Sequence, residues 1–181
     1  IGRLAVAYIE WGGADSQEVI ADWHLIEDAA SAAAFAKVIR ETPRKAYGWN
    51  SISNAIWKAA EMLEGNAYEG TSRVIDVSGD AGQRGGRPLP LVREFVLSLG
   101  ITINGLALDH RGGGLSGPGG MPLALHYQRD IIGGPGSFVM TVKEPQGFHE
   151  AILEKLILEI AGRTPDPQRD LGHTRWAFLF D

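Results

Sequence analysis

Apolar positions along the chain fall into two rhythms, one of strands and one of helices. "RLAVAYIEW" (Arg3–Trp11) is a near-continuous apolar run of strand formers, the pattern of a strand covered on both faces. After the "GGAD" turn, "QEVIADWHLI" (Gln17–Ile26) alternates well enough to be a second strand. Their short connection predicts an antiparallel hairpin at a sheet edge. Asp28 stands where it can cap "AASAAAFAKVIRE", whose Ala32, Phe35, Val38 and Ile39 share one stripe, and Pro43 ends it. "NSISNAIWKAAEML" (Asn50–Leu63) predicts a second helix with Ile52, Ile56, Ala59 and Leu63 inward and Asn50 or Ser51 as its cap.

The second half repeats the alternation. "SRVIDVS" (Ser72–Ser78) reads as a buried strand, "LPLVREFVLSLG" (Leu89–Gly100) as a helix stopped by its glycine, and "ITINGLAL" (Ile101–Leu108) as another strand. A glycine-rich loop runs from Asp109 to Gly120, a short helix covers Pro122–Ile131, and "GSFVMTV" (Gly136–Val142) is the last strand. In the closing helix, Gly147–Gly162, Phe148, Ile152, Leu156 and Ile160 recur every four residues. The tail from Arg163 is polar and then abruptly aromatic, and reads as disordered with a docked end.

Strands alternating with helices predict an α/β fold: a doubly wound, mostly parallel sheet with helices on both faces and one antiparallel edge strand. In such sheets ligands bind outside the carboxyl ends of the strands. That rim holds the turn of "RVIDVSGDAGQRGG" (Arg73–Gly86) and also Asp109.

Composition narrows the setting. The 181 residues suit one domain, residues 1–162, followed by the tail 163–181. Apolar residues are 44% and charged residues 22%, ordinary for a globular protein. A net charge of −5 argues against a nucleic-acid partner. No apolar run approaches the roughly 18 residues of a membrane span. Cysteine is absent, which removes disulfides, thiolate metal sites and cysteine nucleophiles. Ile1 enters a strand pattern almost at once and no signal peptide precedes it, the look of a processed or truncated chain.

The rim chemistry separates by spacing. A dinucleotide turn needs G-x-G-x-x-G, whereas the glycines here are Gly79, Gly82, Gly85 and Gly86, with Asp80 where it would repel a pyrophosphate. No Lys-Ser or Lys-Thr pair supports a P-loop. "HEAIL" puts Leu153 where a zinc helix needs its second histidine, leaving His149 as a solvated helix residue. Neither a G-x-S-x-G elbow nor the D-x-D of aspartate-nucleophile phosphatases is present. A hard-cation site remains open, with oxygens from Asp80 and from Asn50, Ser51 and Ser53 at the start of a helix. Helix capping is the competing role for Asn50 and Ser51. For Asp76, mid-strand, the competing role is a hydrogen bond to a neighbouring element.

"GRLAVAYIEW", "NSISNAIWKAA", "RVIDVSGDAG", "GITINGLAL", "IIGGPGSFV" and "LEIAG" occur in this order. Together they resemble a bacterial family of unknown function with a von Willebrand factor type A-like domain, over about residues 2–162. The resemblance implies a sheet with its first strand in the centre and a metal-ion-dependent adhesion site fed by three loops. In that mapping Asp80 is the aspartate after the fourth strand, and Asn50 stands at the threonine position, with Ser51 as a substitute ligand. Asp109, Gly79 and Gly82 fall on the partner-binding rim. The D-x-S-x-S motif, the first strand and the first helix are missing from this chain, so Mg2+ or Mn2+ is expected to bind weakly or not at all. The function implied is non-enzymatic binding of a protein or peptide, through a carboxylate, in a periplasmic or extracellular setting. The alternatives are a nucleotide-binding or hydrolytic enzyme using the Gly79–Gly86 loop, or a purely structural scaffold.

Overall fold

The computed structural model describes residues 2–109, 117–143 and 147–161, together with Arg163 and Pro165. The first two strands, β1 (Leu4–Trp11) and β2 (Gln17–Ile26), form the antiparallel hairpin the alternation predicts. A register irregularity between Val6 and Ile9 bends it, as extra residues in one strand do. Helix α1 (Ala29–Glu41) follows, held by a reciprocal box in which Asp28 Oδ1 accepts the Ser31 N–H at 2.8 Å and Ser31 Oγ accepts the Asp28 N–H at 3.0 Å.

The other three strands, β3 (Val74–Gly79), β4 (Thr102–Leu108) and β5 (Val139–Val142), pair in parallel in the order β3–β4–β5. Asp76 lies beside Asn104, and Leu106 beside Met140. Alternation sends one set of side chains to each face. Ile75, Val77, Ile103, Ala107 and Val139 form the larger core with α2 (Ile52–Gly65), α3 (Leu89–Ser98) and α4 (Leu123–His126), which continues as a π-helical turn, Tyr127–Ile131. Leu106, Met140 and Val142 face α5 (Phe148–Ile160) through Ala151 and Ile152. The parallel sheet is therefore covered by helices on both faces, as the sequence predicts.

Three expectations are corrected. The hairpin is a sheet of its own and not the edge of the parallel one: among the described residues β1 and β3 share no ladder. Helix α2 spans the separation by touching both sheets. At the carboxyl ends, a Cβ on Gly79 would lie 3.0 Å from the Trp11 ring, so an aromatic contact stands where strand pairing would be. Helix α5 turns inward only part of its four-residue apolar repeat: Ile152 packs on the core, but the later positions do not. Ala151 and Lys155 are buried, whereas Leu156 and Ile160 are exposed with Leu153 and Ile157. A repeat of four drifts against a 3.6-residue turn, and the buried ion pairs of Lys155 fix the orientation instead. Finally, Ser51 occupies the N-cap of α2 without capping it, and its hydroxyl turns to Gly85 O at 3.4 Å. Residues 110–116 of the predicted glycine-rich loop, and the tail beyond Pro165, lie outside the described residues.

Candidate functional site

The rim at the carboxyl ends of β3 and β4 is assembled from three segments tied together by hydrogen bonds. The loop after β3 reaches the start of α2, where Asn50 O accepts the Arg84 N–H at 2.6 Å. Gln83 supplies the cap that Ser51 does not: its Oε1 accepts the Ser53 N–H at 2.9 Å, and its Nε2 donates to Ser53 Oγ at 2.9 Å. Asn54 reaches both ways, accepting the Arg87 N–H at 2.9 Å and donating to Ala14 O at 2.7 Å. The turn after β1 completes the frame, with Gly12 O accepting the Ser51 N–H at 2.7 Å.

Glycine is needed at two places in this frame. Gly86 has φ +75, and a Cβ there would collide with Ser51 Oγ. A Cβ on Gly79 would come within 2.5 Å of the Tyr127 hydroxyl. Of the glycines that look like a phosphate turn, Gly79, Gly82 and Gly86 are thus spacers for close packing of loop against helix.

Asp80 and Asn50 come together, with Asn50 Nδ2 directed at Asp80 Oδ1 from 3.5 Å. Ser51 is fully buried and engaged with Gly85 O, so it joins the frame and not the ligand set. Gly79 and Gly82 are buried as well; they shape the rim and present no surface to a partner. Asp109 ends β4 beside β5, its N–H donating to Val142 O at 2.8 Å.

Two buried side-chain oxygens lack a hydrogen-bond partner among the described residues, Asp109 Oδ1 and the Tyr127 hydroxyl. Both belong to this rim. Burial pushes the Tyr127 hydroxyl well above the ordinary phenol range, and the charges of Asp80 and Asp76 push it further, so it stays a neutral donor.

A hard cation finds an incomplete donor set. Magnesium asks for octahedral oxygens, but Asn50 turns an N–H toward Asp80 and Ser51 is turned away. Among the described residues no group of three histidine, cysteine, aspartate or glutamate side chains gathers as a metal site. The residues present do not fit an intact adhesion-type site.

Sequence reasoning missed His126 and Gln83. Buried His126 accepts the Gln83 N–H at Nε2, 3.2 Å away, so the ring proton sits on Nδ1 and is donated to Asp130 Oδ2 at 2.8 Å. Arg129 first, and then His126, hold the Asp130 carboxyl below its usual range. This relay fixes the rim loop to α4. The i,i+4 spacing of His126 and Asp130 on one helix was the available signal.

The sequence match to the family described as "Protein of unknown function (DUF1194)" spans residues 1–164. The chain belongs to that family. Its matched region takes in every element described here, hairpin and parallel sheet alike, so the rim is part of the family's unit and not an appendage. No curated protein matches the chain. No helix among the described residues is long and apolar enough to cross a membrane.

Proposed function

We propose that this chain is a non-enzymatic protein- or peptide-binding domain, von Willebrand factor type A-like in plan, whose partner meets the rim around Asp80. The observation that carries the reading is the pair of orphaned oxygens. A buried polar group without a partner costs about 1–3 kcal/mol, and such groups are rare. Here Asp109 Oδ1 and the Tyr127 hydroxyl are at the strand ends, where α/β sheets bind their ligands. Two carboxylates on this rim, Asp80 and Asp109, disfavour a phosphate-bearing ligand. The type A-like plan is supported by the edges of β1 and β3, unpaired among the described residues, and by the Asp80–Asn50 pairing at the positions that resemblance assigns. A cation at Asp80 is weakly held and assists the partner at most.

Panning a displayed dodecapeptide library on the domain tests this reading. Selected peptides are expected to lose about tenfold or more in affinity on Asp80→Ala, and ATP is expected not to compete. Magnesium titration by calorimetry is expected to give binding no tighter than about millimolar, the regime of poorly completed oxygen sites. Nucleotide binding by the parent domain would replace this reading with the nucleotide-binding one. Sub-micromolar Mg2+ binding would show an intact metal centre.

A further inference from the structure

We propose that the C-terminal tail folds back on α5, its "WAFLF" block (residues 176–180) covering an apolar stripe on the outward face of that helix. This docking depends neither on the rim nor on the function proposed for it.

Leu153, Leu156, Ile157 and Ile160 are spaced i, i+3, i+4 and i+7, so they share one face of α5. Each is between 44% and 57% exposed. The opposite face is already occupied, with Ala151 and Lys155 buried against the sheet. A helix that is apolar on both faces is one covered from both sides. Among the described helices this stripe stands apart: α3 exposes Leu91 and Phe95, and α4 exposes Leu125.

Area and reach choose the occupant. Helix α5 has 13 residues, a length of about 20 Å, and one face of it offers on the order of 200–300 Å². Stable association of separate molecules takes about 800 Å² from each. A second copy or a free partner would therefore need further surface. A segment of the same chain does not, because its tether holds it at high effective concentration and it gives up little freedom on docking.

The chain supplies such a segment next to the helix. After α5 the Arg163 N–H donates to Leu158 O at 2.8 Å and Pro165 is buried, so the tail sets out from a fixed point. Residues 166–181 lie outside the described residues; their sequence is mostly polar up to Arg175 and then reads Trp-Ala-Phe-Leu-Phe. Residues 166–175 can extend to about 33 Å, more than the length of the helix, so the block reaches every position of the stripe. Trp176, Phe178, Leu179 and Phe180 then meet four aliphatic side chains. The other undescribed stretches, 110–116 and 144–146, are glycine-rich or polar and carry no comparable block.

Amide hydrogen exchange on the full chain tests the docking. Residues 176–180 are expected to exchange at least about tenfold more slowly than an unfolded chain. Leu153→Asp combined with Ile157→Asp should remove that protection. Both side chains are more than half exposed, so β4 and β5 should stay protected, which separates lost docking from lost folding. Trp176→Ser combined with Phe178→Ser leaves the helix sequence intact and should speed exchange across residues 156–161 by about tenfold. Light scattering should give a monomer. Unprotected residues 176–180 in the parent would overturn the proposal. So would protection that survives the helix substitutions, or exchange in residues 156–161 that ignores the tail substitutions. Protection that appears only with a dimer, and grows with concentration, would assign the stripe to a second copy instead.

Discussion

The hairpin β1–β2 and the parallel sheet β3–β4–β5 are written in similar residues but lie at different depths. All four residues of β5 and five of seven in β4 are buried, against two of ten in β2 and none in β1. The difference comes from the helices available to each. Helices α2, α3 and α4 cover one face of the parallel sheet and α5 the other, whereas the hairpin has α1 and part of α2. Helix α1 buries no residue of its own, and its Phe35 meets the His24 ring of β2 tilted at 59°, centroids 5.3 Å apart. Apolar content alone does not set depth in this chain; the number of helices laid against a strand does. Stability should accordingly sit in the parallel sheet, while the hairpin contributes the turn that frames the rim.

The strongest way to break that division is through Lys155. Its side chain is 1% exposed and bonds Asp76 Oδ1 at 2.8 Å and Glu159 Oε1 at 2.5 Å, joining α5 to β3. Removing one member of a buried charge group leaves the others uncompensated, at a cost of about 3–5 kcal/mol. Lys155→Ala should therefore lower the urea midpoint of the whole domain. A loss under about 1 kcal/mol would mean that Asp76 and Glu159 are solvated along the open edge of β3, and that α5 is no firmer than α1.

A second comparison sets Ile103 in β4 against Ile9 in β1. Ile103 is fully buried, and its truncation to alanine should cost about 2–5 kcal/mol. Ile9 is half-buried in the hairpin, and Ile9→Ala should cost less than half as much. Equal losses, read from chemical denaturation with unchanged slope, would make the two sheets one cooperative unit of even strength.

How much of this could be read beforehand depends on whether the signal is local. The strand and helix runs were legible because their periodicity is written in neighbouring residues, as in Gln17–Ile26, whose predicted and observed bounds coincide. The Asp28 cap was legible for the same reason. The separation of the two sheets was not, because strand pairing is decided between residues far apart in sequence. The inward face of α5 was hidden too: Lys155 looks like a surface residue until Asp76 is seen across from it. At the rim, Asp80 and Asn50 were placed together by resemblance and do lie together. The cap from Gln83 and the tie from His126 depend on contacts 30 and 43 residues apart, which no local pattern carries.

Acid titration gives a smaller effect that bears on the same charge group. The Asp76 side chain keeps 32% of its surface, yet burial raises its carboxyl to about 6, against the pull of Lys155 and with the push of Glu159. A folded value above the unfolded one means that the folded chain binds this proton more readily. The contribution to stability is then fully present below the unfolded value near 3.8 and is lost as pH rises through about 6. Asp76→Asn should remove that slope, so parent and variant should diverge in urea midpoint between about pH 4 and 6. Parallel curves would show that the Lys155 pairing cancels the burial effect.

The smallest effect tests the hairpin side alone. Asp28→Ala deletes the acceptor for the Ser31 N–H and loosens the reciprocal bond from the Asp28 N–H to Ser31 Oγ. Because α1 buries no residue, little tertiary packing compensates for the lost cap, and the helix should fray from its first turn. Amide hydrogen exchange is the right measurement, since it reads openings too local to shift a global melt. Protection should fall across residues 29–35 and stay unchanged in β4 and β5. Faster exchange in β4 as well would mean that α1, through β2 and α2, supports the parallel sheet, and the contrast between the two regions would then be one of depth but not of cooperativity.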